Sequence, residues 1–366
     1  MRRRVERFAW RLWRGEAGVV GAVVGCLMLP AEGVWRLMTR LRNRRHDDRV
    51  ARSVDGLAIV SVGNVAVGGT GKTPFSAWVA AVLREGGHRP AILLRGYGTD
   101  EVELHRMWNA DVPVEVATDR VDAARAARDR GCGVAVLDDG FQHRGLGRVV
   151  DIALVAAADP VPGAVLPRGP YREPLSALRR ADVVVVTRRR ASRAVAEARL
   201  ETLRTRGMLA DGATLAGVRL QSDEVVSLTC WGRGGDGMDG VDETGGGDRG
   251  DGRSRWEAGA GVVACTAIAR ADAFQADVEE LTGVAVELVA FPDHHSFSMD
   301  DVRRVRRDAG DRPVLVTEKD AVKLRRHVEV LGDAWVVVQR LVWDWGEEEV
   351  RARLLAVLSP ETGEDA

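Results

Sequence analysis

The chain has 366 residues, 45 % apolar and 29 % charged, which excludes a wholly disordered chain and a polytopic membrane protein and suggests two domains. The 53 basic residues are balanced by 54 acidic ones, so no global basic field points to nucleic acid. Four cysteines, Cys26, Cys132, Cys230 and Cys265, form neither a CxxC pair nor a zinc spacing, which predicts a reducing, cytosolic compartment.

The first 50 residues hold twelve arginines against five acids, and between the arginine clusters runs an uncharged stretch from Ala17 to Ala31. At 15 residues it is too short to span a bilayer, which takes about 20. It carries no Ala-x-Ala cleavage site. Val34, Trp35, Leu37 and Met38 resume an apolar face beyond Pro30 and Glu32. Tryptophans and arginines flank the whole segment, as at a membrane interface. Two readings stand: a monotopic anchor on anionic lipid, which the basic flanks favour, or a helix pair covering a core.

From Leu57 the chain alternates. Leu57–Val62, Ala91–Leu94, Val134–Leu137, Ile152–Val155 and Val183–Thr187 are short apolar runs, each read as a buried strand. Phe75, Trp78, Val79, Val82 and Leu83 mark one face of a helix that Gly86–Gly87 ends. Val121–Arg130 and Ala191–Gly207 read as further helices. Continuous apolar strands separated by helices predict a parallel sheet covered on both faces. Residues 232–252 are almost all Gly and Asp, which predicts a flexible insertion. Strands then resume at Val262–Ile268, Val284–Ala290, Val314–Thr317 and Trp335–Val338, with helices at Ala273–Leu281 and Met299–Arg307, the second opened by a Ser298/Asp301 capping box. The predicted division is 1–50, an amino-terminal membrane-associated helical segment; 51–225, an α/β domain; 226–260, the insertion; and 261–366, a smaller α/β domain.

Five segments carry chemistry. Val67, Gly68, Gly69, Thr70, Gly71, Lys72 and Thr73 follow a strand and open a helix, the context of a phosphate-binding loop. Glycines there let backbone N–H groups turn around phosphate oxygens, and the helix N-terminus adds its dipole. Lys72 would reach the β- and γ-phosphates and Thr73 would bind Mg²⁺. Ala66 stands where the strict pattern has glycine. The loop lysine is one of only three lysines, with Lys319 and Lys323, beside fifty arginines. The second segment, Asp138–Asp139–Gly140–Phe141–Gln142–His143, ends a buried strand, where an acid can hold Mg²⁺; an exposed Asp-Gly turn is the plainer alternative. The third, Leu166–Pro174, is stiffened by proline and offers Arg172 to an anion. The fourth, Phe291–His295, sets a carboxylate beside imidazoles and can tune a proton acceptor. In the fifth, Thr317–Asp320, Asp320 reads equally well as a helix cap.

Taken in order, SVGNVAVGGTGKTP (61–74), RGYG (95–98), DDGFQHR (138–144), LPRGPYREP (166–174), FPDHHSFS (291–298) and TEKDAVKL (317–324) resemble the tetraacyldisaccharide 4'-kinase family of lipid A biosynthesis. That resemblance covers nearly the whole chain. It implies a P-loop NTPase-like α/β fold with a second, smaller α/β domain and a membrane-associated amino-terminal helix. It further implies ATP and Mg²⁺, a lipid A disaccharide acceptor, a monomer, and work at the cytoplasmic face of the inner membrane. Family resemblance makes Asp100 the base, assisted by His294, although the glycine and proline that usually surround this aspartate are missing here. Asp119 is the fallback base. Thr73, Asp138, Asp139 and Glu173 are the expected metal ligands, with Arg95, His143 and Arg172 toward phosphate or substrate. Two other functions share parts of these signals: a membrane-associated ATPase acting as a nucleotide switch, and a kinase of a soluble metabolite.

Overall fold

The computed structural model describes residues 2–48, 50–96, 99–161, 163–232 and 261–358. Most of the Gly/Asp-rich stretch, and Tyr97 and Gly98 of the RGYG motif, lie outside them. The chain opens with three helices, α1 (Arg2–Trp13), α2 (Gly18–Leu27) and α3 (Leu29–Asp47). There follow β1 (Ala58–Asn64), α4 (Lys72–Glu85), β2 (Pro90–Leu94), α5 (Thr99–Trp108), β3 (Val114–Val116), α6 (Arg120–Asp129), β4 (Val134–Asp138), β5 (Val150–Ala156), β6 (Val183–Arg188), α7 (Arg193–Thr205) and β7 (Thr214–Ser227). The remainder comprises β8 (Val262–Thr266), α8 (Ala271–Thr282), β9 (Val286–Ala290), α9 (Met299–Ala309), β10 (Val314–Thr317), α10 (Glu318–Leu324), α11 (Val328–Leu331), β11 (Ala334–Trp345) and α12 (Glu347–Ala356).

These elements form two units that are not consecutive along the chain. Residues 1–95, 112–219 and 342–366 make the first, and residues 96–111 and 220–341 the second. The expected boundaries near 225 and 261 therefore miss two exchanges: α5 joins the second unit and α12 the first. The amino-terminal helices belong to the first unit rather than standing apart.

In the first unit the strand order is β3-β2-β4-β1-β5-β6-β7, and the registered pairs are parallel. β1, β4, β5 and β6 are buried along nearly their whole length, which explains their unbroken apolar sequence. Helix α4 buries Phe75, Ala77, Trp78, Val79, Val82 and Leu83. Two loops, those after β1 and β4, leave the carboxyl ends of adjacent strands, where open parallel sheets bind ligands. In the second unit the order is β11-β10-β8-β9, again parallel. Its core holds Val263, Cys265, Phe291, Phe297, Val302, Val305, Val314 and Val316. The Ser298 hydroxyl accepts from the Asp301 amide and the Asp301 carboxylate from the Ser298 amide, so the predicted capping box forms.

Candidate active site

The loop after β1 is shaped by its own backbone. Gly71 caps α4 at φ 83°, a left-handed conformation that side chains resist. Asn64 Nδ2 donates to Thr70 Oγ1 at 2.8 Å and the Val67 amide to the Pro170 carbonyl at 2.8 Å, which fixes both ends of the loop. Lys72 and Thr73 thus stand on the first turn of α4 with its free N–H groups.

Asp138 is the last residue of β4 and is buried. Asp139 follows at φ 55°, unusual for a residue with a side chain, and Asp is among the few types that tolerate it. That turn brings Asp139 Oδ1 to 3.5 Å from Lys72 Nζ, and Oδ2 to 3.4 Å from Arg172 Nη1. Gly63 of β1 permits the crossing, since a Cβ there would lie 2.5 Å from the Phe141 amide. Arg148 pins the turn from behind: one nitrogen donates to Ser61 Oγ, the Gly140 carbonyl and Asp151, and the other to the His143 carbonyl.

The Leu166–Pro174 loop is held by α3 as much as by the sheet. Trp35 Nε1 donates to the Arg172 carbonyl at 2.9 Å, and Trp13 Nε1 to the Pro167 carbonyl at 3.0 Å. Glu32, only 3 % exposed, accepts from the Val165 amide and from Arg168 and Arg36. Burial alone would raise its carboxyl, but the two guanidiniums and the amide bring it below the usual range. Glu173 was expected at a metal. Its carboxylate is fully buried and accepts from Arg180 at 3.2 Å and Asn43 Nδ2 at 3.0 Å. It anchors the loop to α3, and as a metal ligand it would have to release those donors.

Two other expected site residues have surroundings that bear on what they can do. Burial, followed by the charges of Arg120 and Arg148, lowers His143 to about 4, so it faces an anion as a neutral ring, not as a cation. Asp119, the fallback base, caps α6 by accepting from the Val121 amide at 2.9 Å and pairs with Arg52. Arg95 leaves the carboxyl end of β2, close enough to His143 to act on its charge.

The second unit brings Asp100 and His294 together. Asp100, 2 % exposed, sits in the first turn of α5, and its Oδ2 lies 3.2 Å from His294 Nδ1. His294 adopts φ 59° and is held there by its amide, which donates to the Ala267 carbonyl at 3.0 Å. Burial would raise Asp100; the hydrogen bond from His294 and the charges of Lys323 and Lys319 outweigh it and hold the carboxyl well below its ordinary value. The same hydrogen bond raises His294. His295 points elsewhere: it stacks on Phe291 and its Nε2 lies 3.0 Å from Asp301. Sequence reasoning missed the partners of this pair. Lys323 Nζ lies 3.2 Å from Asp100 Oδ2, and Lys319 Nζ lies 2.6 Å from Glu101 Oε1. The sequence signal for them is the scarcity of lysine: they are the other two of the three in the chain.

A parallel α/β sheet with a Gly-Lys-Thr loop after β1 and paired acids after β4, together with a buried Asp–His pair, defines a protein of the phosphotransferase class. The comparisons narrow the class. A family model described as tetraacyldisaccharide-1-P 4'-kinase matches residues 24–107 and 100–359. A tetraacyldisaccharide 4'-kinase from Anaeromyxobacter dehalogenans is 36 % identical over 340 residues, covering 85 % of this chain and 84 % of that one. One from Syntrophus aciditrophicus is 34 % identical over 323 residues, covering 79 % and 82 %. The fold matches a crystal structure of LpxK from Aquifex aeolicus in complex with ATP, at TM-score 0.64 and 23 % identity, over 91 % of this chain and 99 % of that one. The chain belongs to the tetraacyldisaccharide-1-phosphate 4'-kinase family.

Proposed function

We infer that the protein transfers the γ-phosphate of ATP to the 4'-hydroxyl of tetraacyldisaccharide 1-phosphate, giving lipid IVA. Family membership over most of the chain carries the reading, and the side chains at hand supply the parts that phosphoryl transfer needs. Catalysis of this kind is mainly positioning and charge neutralisation, with an acceptor for the hydroxyl proton.

Val67 to Thr73 cradle the nucleotide phosphates with backbone N–H groups and the α4 N-terminus. Lys72 moves its ammonium from Asp139 onto the β- and γ-phosphates as these arrive. The loop hydroxyl and acids suit a hard, oxygen-preferring cation, although among the described residues no three His, Cys, Asp or Glu are grouped so as to hold a metal ion by themselves. Thr73, Asp138 and Asp139 would hold Mg²⁺, which when bound neutralises charge on the phosphates. Arg172 steadies an anion at the rim of the loop. The Asp100–His294 pair, in which the ionised carboxylate accepts from His294 Nδ1 and orients the ring, is the acceptor for the proton of the 4'-hydroxyl.

The amino-terminal helices fit an interfacial role at the cytoplasmic face of the inner membrane. Among the described residues no single helix is long and apolar enough to cross a membrane; α2 and α3 meet at 52°. Val19, Val20, Val23, Leu27, Val34, Leu37 and Met38 are exposed apolar side chains on these two helices. Arginines surround them, as anionic lipid would require.

The test is transfer of labelled phosphate from ATP to tetraacyldisaccharide 1-phosphate in detergent micelles. Label in the lipid, dependent on both substrates and on Mg²⁺, is expected. ATP turnover with no label in the lipid overturns the reading.

A further inference from the structure

Trp10 and Trp13 flank the apolar amino-terminal stretch, where tryptophan ordinarily marks a membrane interface. Here both are half-buried and turn onto loops of the candidate site. Trp13 Nε1 donates to the Pro167 carbonyl at 3.0 Å. The six-membered ring of Trp10 lies over Gly68: a Cβ built there would stand 3.1 Å from Trp10 Cζ2 and 3.2 Å from Cη2. The indole thus fills the space that a side chain at 68 would take. Gly68 has φ 108°, which side chains rarely adopt, so the loop cannot supply that packing itself. Trp10 is held in turn by its own helix. Its ring meets that of Trp13 edge-on with centroids 5.1 Å apart, and the Arg14 guanidinium covers it at 5.6 Å. The Arg14 amide donates to the Trp10 carbonyl at 3.1 Å and the Gly15 amide to the Leu12 carbonyl at 3.1 Å, which closes the end of α1. Leu12 leans on α2, where a Cβ at Gly21 would lie 3.5 Å from its Cδ1. The ring over the loop therefore stands on a braced base.

We propose that Trp10 is a positioning residue for the phosphate-binding loop: its ring, braced by α1, holds Gly68 and Gly69 in the shape that receives the nucleotide phosphates before ATP arrives. The inference rests on the reading of Val67–Thr73 as the nucleotide site. The rest of the loop shows why a brace matters. Its flanks are tied, the Val67 amide to the Pro170 carbonyl and Thr70 Oγ1 to Asn64 Nδ2, while Gly68 and Gly69 between them have no side chain to pack. Glycine loses more conformational freedom on being fixed than any other residue. A loop ordered only by the arriving phosphates binds them more weakly than one already ordered. Nucleotide affinity therefore depends on the seating of α1. The contact with lipid is left to the exposed apolar side chains of α2 and α3, such as Val19, Val23 and Leu37.

The experiment uses the full chain in detergent micelles. Binding of a non-hydrolysable ATP analogue with Mg²⁺ is measured by calorimetry without lipid acceptor. Co-sedimentation with anionic liposomes, kcat and the KM of each substrate are measured beside it. Trp10→Ala is expected to weaken analogue binding about tenfold and to raise the KM for ATP by a similar factor. Pelleting, the KM for lipid and kcat at saturating ATP should stay within about twofold of wild type. Trp10→Phe, which keeps a ring over Gly68, should bind the analogue within about threefold of wild type. Unchanged analogue affinity in Trp10→Ala overturns the proposal, and if pelleting alone falls the residue is an interfacial anchor. Tighter binding would make the ring a cover on the loop and overturns it too. A loss of pelleting as large as the loss of analogue binding, or a Trp10→Phe as weak as Trp10→Ala, marks a general loss of α1 and also overturns it. If Trp10→Ala does not fold, Trp10→Leu is judged by the same measures. Lys72→Glu keeps the two readings apart, since reversed charge in the loop should abolish analogue binding. Wild-type affinity in Lys72→Glu overturns the reading of the loop, whereas lost affinity there with wild-type affinity in Trp10→Ala overturns the role of Trp10 alone.

Discussion

Trp35 Nε1 donates to the carbonyl oxygen of Arg172 at 2.9 Å, and the Arg172 guanidinium reaches Asp139 at 3.4 Å. The helix that carries the exposed apolar face thus also fixes the backbone of a residue beside the Gly-Lys-Thr loop. Removing the first 45 residues would take away Glu32, Trp35 and Asn43 with the apolar face, so it cannot separate docking on lipid from support of the loop.

Surface substitutions do separate them. Leu37→Glu with Met38→Glu alters side chains that are 56 % and 62 % exposed. Unfolding should change by less than about 0.5 kcal/mol per site. Co-sedimentation with anionic liposomes should fall at least about tenfold, because an apolar contact is replaced by charge that the lipid repels. Undiminished pelleting of the double variant would refute the interfacial face.

Glu32→Ala acts from the other side of the same helix. It strips the acceptor from Val165 and Arg168 in a buried setting, which costs about 2–4 kcal/mol, read as a lower thermal midpoint. Glu32→Gln, able to keep the Val165 hydrogen bond, should cost less. The carboxyl is held below its ordinary value, so its contribution is full above the unfolded value of 4.5 and fades as pH falls through the folded one. A midpoint difference between wild type and Glu32→Gln that persists unchanged into acid would count against this role.

Lys72→Ala should lose about a hundredfold or more in kcat while unfolding at nearly the wild-type temperature, since its only ion pair among the described residues is to a half-exposed Asp139. Lys72→Arg should not restore turnover, because a planar fork does not replace a compact ammonium in a glycine cradle. Wild-type rates in Lys72→Arg would contradict the placement.

Asp100→Ala and His294→Ala should be strongly non-additive. Each change breaks the same accepting pair, so the double variant should be little worse than Asp100→Ala alone. The pair also stabilises the fold over a window. Asp100, lowered, contributes above its unfolded value of 3.8, and this is lost as pH falls through its folded value. His294, raised, contributes fully below its unfolded value of 6.5 and loses this as pH rises through its folded value. Strictly additive rate effects would show that the two do not act together.

Most of the sheet was legible because buried parallel strands have no polar face to interrupt them. β1, β4, β5, β6, β8 and β10 lie where the apolar runs were read. Helix α5 was not, since four of the ten residues of Thr99–Trp108 are charged and the helix gains its place from Glu318 and Lys319 far along the chain. β3, three residues long, and the polar half of β7 give too little pattern to see. At the site, Lys72, Asp139 and Arg172 are brought together as their motifs suggested. The surroundings of Glu173 and His143 were not legible, because they depend on burial and on arginine neighbours, Arg180 for the first and Arg120 and Arg148 for the second. Asp100 could be placed only by resemblance; its distance to His294 is a property of the fold.

The central claim concerns which oxygen receives the phosphate. The product formed from ATP and tetraacyldisaccharide 1-phosphate can be isolated and its new phosphorus–proton coupling read by two-dimensional NMR. The account predicts a single new phosphate coupled to the proton on the 4'-carbon, and no product from an acceptor that lacks the 4'-hydroxyl. A phosphate at another position, or equal turnover of the 4'-deoxy acceptor, would contradict it.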